Sequence, residues 1–152
     1  MQSTIIKYGI YSGITAAVLF ILGLVFGQEA DFGTREILGY ASIVVSLLFV
    51  FFGIKHFRDR ENSGIVSFKQ ALQLGLAISI LAGVGVAVVD TIYTTFINPE
   101  FFNEFAQMMK DQGREDEVMD IGSGMMAVIM FVTVFVIGFI ISLLSALILQ
   151  RK

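Results

Sequence analysis

The chain has 152 residues, of which 56% are hydrophobic and 15% charged, and its formal net charge is −3. A soluble domain carries about 25% charged residues. Here the deficit falls in blocks, and a mean hydropathy of +0.82 marks an integral membrane protein. The absence of cysteine excludes disulfides, thiol nucleophiles and thiolate metal sites, and so small a net charge gives no footprint for nucleic-acid binding.

Four apolar runs follow in chain order: 8–26, 37–54, 71–89 with an extension to 97, and 121–149. At roughly 1.5 Å per residue, about 20 residues cross a hydrocarbon core of about 30 Å. Each run is expected to be helical, because lipid offers the backbone no hydrogen-bond partner. The first run exceeds the ~7–15 apolar residues of a signal peptide and is read as a retained span. Between the runs, 27–36 is a short polar turn. The inner loop 55–70 holds the turn cluster Asn62-Ser63-Gly64. Ser67 and Gln70 have the spacing of a capping box, which starts the third helix just before Ala71. Asn98 is placed to cap, and Pro99 to open, an amphipathic helix over about 99–112. Phe101, Phe102, Phe105, Met108 and Met109 recur there at helical spacing, with Glu100, Glu104, Lys110 and Asp111 on other faces and Gly113 as the stop. Arg114, Glu115, Asp116, Glu117 and Asp120 form an acidic linker without calcium-loop spacing. The fold class expected is all-α: one domain over 1–152, with four transmembrane helices in an up-down bundle plus one amphipathic extracytoplasmic helix.

Charge sets the orientation. With the N-terminus cytoplasmic, the inner side holds seven basic residues (Lys7, Lys55, Arg58, Arg60, Lys69, Arg151 and Lys152) and the outer side three (Arg35, Lys110 and Arg114). That obeys the positive-inside rule and the reverse breaks it, so an inner-membrane protein with both termini cytoplasmic is expected. Tyr8, Tyr11, Tyr40 and Tyr93 all fall near the interfaces this topology defines.

Helices in lipid associate through close backbone approach, which small residues permit. The third run carries Gly75, Ser79, Gly83 and Ala87 four residues apart, continued by Thr91. The fourth carries Gly138, Ser142 and Ala146, the first Gly9, Gly13 and Ala17, and the second Ser42, Ser46 and Gly53. The expected use is packing within one bundle; the other is a dimer face on the third helix.

Chemistry-bearing residues are sparse. Asp90 lies about 28 Å along the third helix from Ala71. It is expected to be a hydrated residue near the outer interface, with a cation-attracting vestibule beside Thr91, Tyr93 and Thr94 as the alternative. His56 is the one histidine and cannot form a multi-histidine metal site. Gly122-Ser123-Gly124 lacks the lysine of a phosphate-binding loop. No nucleophile–base or metal set is found, so no enzyme activity, cofactor or metal is expected.

Several segments together resemble a known pattern. They are Gly39-Tyr40-Ala41-Ser42, Phe52-Gly53-Ile54-Lys55-His56-Phe57-Arg58-Asp59, Gly64, Ser67-Phe68, Ala71, Gly75-Leu76, Tyr93, Phe96-Ile97-Asn98-Pro99-Glu100-Phe101, and Ser142-Leu143-Leu144-Ser145-Ala146-Leu147-Ile148-Leu149. Over nearly its whole length the chain resembles the bacterial membrane family called domain of unknown function 4199. It departs from that family in the plainer Ala87-Val88-Val89-Asp90 and a shorter outer loop. The resemblance implies a four-span membrane protein and assigns no activity, cofactor or site residue. The function expected is that of a non-enzymatic accessory, scaffold or assembly partner. Its partners are membrane lipid and either a second copy or another membrane protein. Its candidate contact residues are Lys55, Arg58, Arg60, Phe101, Phe102, Phe105 and Asp90. The alternative is a small oligomeric channel or carrier for a cation or small solute.

Because no native cysteine interferes, topology is directly testable. Asp111→Cys should react with an impermeant maleimide on intact cells, and Ser63→Cys only after lysis; labelling of both from outside contradicts the orientation.

Overall fold

The computed structural model describes residues 1–26, 32–118 and 122–151. Its helices are α1 (Gln2–Phe26), α2 (Phe32–His56), α3 (Phe68–Ile92), α4 (Phe101–Asp111) and α5 (Ser123–Leu149). Four segments are long and apolar enough to cross a membrane: Gln2–Gly23, Gly33–Glu61, Phe68–Ile97 and Ser123–Leu149. Among the described residues there is no strand, only an isolated antiparallel pairing of Val66 with Arg151. Part of the expected outer turn at 27–36, with Glu29 and Asp31, lies outside the described residues, as do Asp120, Ile121 and Lys152.

Local chemistry sets the helix ends. The capping box is complete: the Gln70 amide donates to Ser67 Oγ at 3.3 Å, and the Ser67 amide to Gln70 Oε1 at 3.1 Å. Ser63 and Gly64 take positive φ of 53° and 82° to turn the inner loop, and Gly113 does so at 70° beyond α4. Two helices overrun the expected spans as wide π-helical turns, Phe57–Glu61 after α2 and Tyr93–Ile97 after α3. The second turn corrects the expected start of α4. Asn98 does not cap it, since its amide closes the π turn on Tyr93 O at 2.8 Å and its side chain donates to Glu104 at 3.0 Å. Asn98 O instead accepts the Phe101 amide at 3.1 Å across a turn, and the helix begins at Phe101 with Glu100 before it.

The apolar core joins α2, α3 and α5. Leu47, Val50 and Ile54 on α2 meet Ala71, Leu74, Ile78 and Ala82 on α3 and Val134, Ala146 and Leu149 on α5, with Phe57 and Val66 at the inner end. Residue pairs give the register. Ser12 bonds Ser46, Tyr11 packs on Phe49 and Tyr8 on His56, so numbering falls along α2 as it rises along α1. On the other side Gly75 abuts Ser142, Gly138 abuts Ser79 and Gly83 abuts Phe131. Gly9 abuts Leu81 and Gly13 abuts Gly85, so α1 and α3 run in the same sense. Burial on α2 is confined to its inner half; residues 33–41 are all exposed.

Hydroxyl groups inside the bundle donate to carbonyls. Ser12 reaches Ser46 O at 2.8 Å, Ser79 reaches Gly75 O at 2.9 Å and Ser142 reaches Gly138 O at 2.6 Å. A buried hydroxyl without such a partner costs about 1–3 kcal/mol.

A Cβ added at Gly138 would fall on the Ser79 side chain, whereas at Gly39 nothing lies within 4 Å. Gly138→Val should therefore lower stability by about 1–3 kcal/mol, read as a lower unfolding midpoint in detergent, while Gly39→Ala, which gains helix propensity in open space, does not lower it. Equal midpoints for both variants would contradict this packing.

Candidate functional site

At the end of the molecule that carries the 57–66 loop, the predicted basic residues separate into two kinds. Lys55 and Arg60 are exposed. Arg58 is half-buried: its Nε and Nη2 donate to the two Asp59 carboxylate oxygens at 2.6 and 3.2 Å, and its Nη1 reaches Leu149 O at 3.3 Å. A guanidinium on the last turn of α5 both satisfies a terminal carbonyl and complements the negative end of the helix dipole. Arg58 thus ties the loop to α5, while Lys55 and Arg60 keep their side chains exposed.

The loop between them has one shape. Gly64 N bonds Arg58 O at 2.7 Å, the Asn62 side chain bonds Ile65 O at 2.7 Å, and Val66 pairs with Arg151 through bonds of 3.1 and 2.8 Å. Glu61 accepts the Thr4 hydroxyl and the Met1 amino group, the latter at 2.8 Å, and lies 3.9 Å from His56 Nε2. His56 packs its ring against Tyr8 at 5.6 Å. These bonds join the start of α1, the loop and the end of α5 in one layer. Nothing in the sequence spacing indicated Glu61 as its hub.

At the opposite end, aromatic rings join α4 to the long helices. Phe20 of α1 meets Tyr93 edge to face at 5.8 Å, Tyr93 meets Phe101 at 5.9 Å, and Phe101 contacts Phe102 at 5.5 Å and Phe105 at 6.4 Å. Met109 is buried on the same helix, whereas Glu104, Lys110 and Asp111 are exposed.

Asp90 is where sequence and structure differ. It is 3% exposed, and its Oδ2 is enclosed with no hydrogen-bond partner. A hydrated end-of-helix carboxylate is therefore not what the structure holds. Of the alternative neighbours, the Thr94 hydroxyl donates to the Asp90 backbone carbonyl at 2.9 Å and the Thr91 hydroxyl to Ala87 O at 2.8 Å, so neither is bonded to the carboxylate. Helical rise located this residue along the membrane normal; it could not reveal which side of α3 would be covered.

The seam residues divide by face. Gly75, Ser79 and Gly83 are buried against Ser142, Gly138 and Phe131 of α5, and Ala87 is half-buried. A second face of α3, at Leu81 and Gly85, receives Gly9 and Gly13 of α1. Gly85 was not singled out from sequence because it falls outside the four-residue stripe; its signal was being two residues from Gly83, which turns it toward a different neighbour.

Residues 7–151 match the sequence model of the family described as "Protein of unknown function (DUF4199)", and the chain belongs to that family. No curated protein and no solved structure matches it.

Aromatic pairs contribute about 0.5–1.5 kcal/mol beyond area burial. Phe101→Ala should therefore raise amide hydrogen exchange over Phe101–Asp111 by up to about tenfold while α3 keeps its protection; unchanged exchange in α4 would show that the ring chain does not hold it.

Proposed function

We propose that this chain is a bacterial inner-membrane protein that serves as a non-enzymatic accessory or assembly partner. Its four spans form a single up-down bundle with both termini cytoplasmic, and Phe101–Asp111 is an amphipathic helix seated on the extracytoplasmic end. The working surface is the inner loop. One observation carries this reading: the loop is bonded to itself, to α3 through its cap and to α5 through Arg58 and the Val66–Arg151 pairing, while Lys55 and Arg60 remain exposed. A surface ordered beforehand loses less conformational freedom on binding, so a modest number of charge contacts suffices. Its positive charge fits an acidic segment of another membrane protein, with anionic headgroups adding about 1 kcal/mol per basic residue.

A buried carboxylate in α3 favours a second reading, a small oligomeric channel or carrier. Conduction needs a continuous polar path, and the hydroxyls of Ser12, Ser79 and Ser142 instead bond backbone carbonyls within the bundle. That pattern supports a packed body over a conductor. Cation flux into liposomes carrying the purified protein, sensitive to Asp90→Asn, would reverse the preference.

Crosslinking and pull-down from native membranes is the direct test. The pair Lys55→Ser with Arg60→Ser should lose the co-purifying membrane protein, while Lys110→Ser on the opposite side keeps it. Retention of every partner by the loop variant rules the assembly role out.

A further inference from the structure

We propose that Asp90 is a proton-binding site embedded in the outer half of the bundle. The proposal rests on the membrane-spanning character of α3 and not on the assembly role. Three observations converge on it. The residue is 3% exposed within Phe68–Ile97, a segment long and apolar enough to span. Its Oδ2 is enclosed and receives no hydrogen bond. No ion pair among the described residues includes it.

The charged and titratable groups of the surrounding elements lie elsewhere. In α1 they are Lys7, Tyr8 and Tyr11, at the inner end. From Ser123 to Leu149, α5 has none. Arg35, Glu36 and Tyr40 of α2 and Glu104, Lys110 and Asp111 of α4 are exposed, Lys55 and His56 of α2 lie at the end where His56 packs on Tyr8, and Tyr93 on the turn that follows α3 packs its ring on Phe20 and Phe101.

An ionised carboxylate with an enclosed oxygen that receives neither a hydrogen bond nor a counter-charge is costly to bury. Two occupants remove that cost, a proton and a metal cation. A metal ion needs several oxygen ligands, and among the described residues no group of three or more acidic or histidine side chains gathers around Asp90 or elsewhere. A proton needs only the carboxylate. It converts the side chain into a neutral acid, and any rearrangement that admits water to this part of α3 would let it dissociate.

The test uses the full-length protein in lipid. Infrared spectra should contain a protonated-carboxyl band that shifts on isotopic labelling of aspartate carboxyls, disappears at alkaline pH and is lost in Asp90→Asn. A hydrophobic carbodiimide, which adds to a neutral acid, should modify Asp90 with a yield that falls as pH rises and is unaffected by added Na⁺. The labelled wild-type spectrum stands even if Asp90→Asn fails to fold. Absence of the band from the wild type overturns the proposal. So does modification of Asp90 by a water-soluble carbodiimide at the rate seen for exposed Glu104, which would make it a hydrated carboxylate. Protection by Na⁺ at fixed pH would assign a metal cation in place of the proton.

Discussion

Lipid accepts no hydrogen bond, and that constraint organises the molecule. Backbone amides and carbonyls within the spans are satisfied by the helices themselves. The hydroxyls of Ser79, Thr91 and Ser142 fold back onto carbonyls one turn earlier, which lets small polar residues sit at helix contacts without an exposed donor. What remains is the set of terminal groups that every helix leaves over. These are met at the inner end by side chains of the loop: Ser67 and Gln70 close the start of α3, and Arg58 covers Leu149 O at the end of α5. The polar loop is therefore part of the structural solution for the apolar helices, not an addition to it.

The same solvent removes the usual drive for helix association, so contact depends on how closely backbones approach. Helix α3 is the element that exploits this on two sides. Gly75, Ser79 and Gly83 admit α5, and Gly85 admits α1 at Gly13. Helix α2 joins them over one half only: Leu47, Val50 and Ile54 enter the core while residues 33–41 are exposed. The core is consequently richest toward the end that carries the 57–66 loop. The opposite end is held by a different device, the chain of rings from Phe20 through Tyr93 to Phe101.

Features governed by neighbours in sequence were legible before any coordinates. The capping box, the Ser63-Gly64 turn and the Gly113 stop each depend on a few adjacent residues. The small-residue seams were visible as spacing, and spacing alone could not choose between a partner helix and a second copy; the fit of Gly75 to Ser142 is a tertiary fact. Three features were not legible for related reasons. Asn98 has the chemistry of a cap, but the π turn before it claims its amide. Arg58 reads as one more surface cation, yet its partners lie on the adjacent residue and on a helix end far along the chain. Asp90 has an interfacial depth, but depth says nothing of lateral cover.

The two ends also differ in how their charges are treated. Toward the inner end Glu61 is met by Thr4 and the Met1 amino group, and Asp59 by Arg58. Near the far end of α3 the Asp90 Oδ2 is buried without such company, whereas the hydroxyls of Ser79, Thr91 and Ser142 find partners one turn away. Local rules that hold throughout a fold and break at one residue point to use there, because the cost of the exception must be offset elsewhere. The close contacts of α3 with α1 at Gly9 and Gly13 and with α5 at Gly138 and Ser142 are available to supply it. They also explain why the exception can sit on α3: it is the helix least free to move aside, so a carboxyl carried on it stays enclosed.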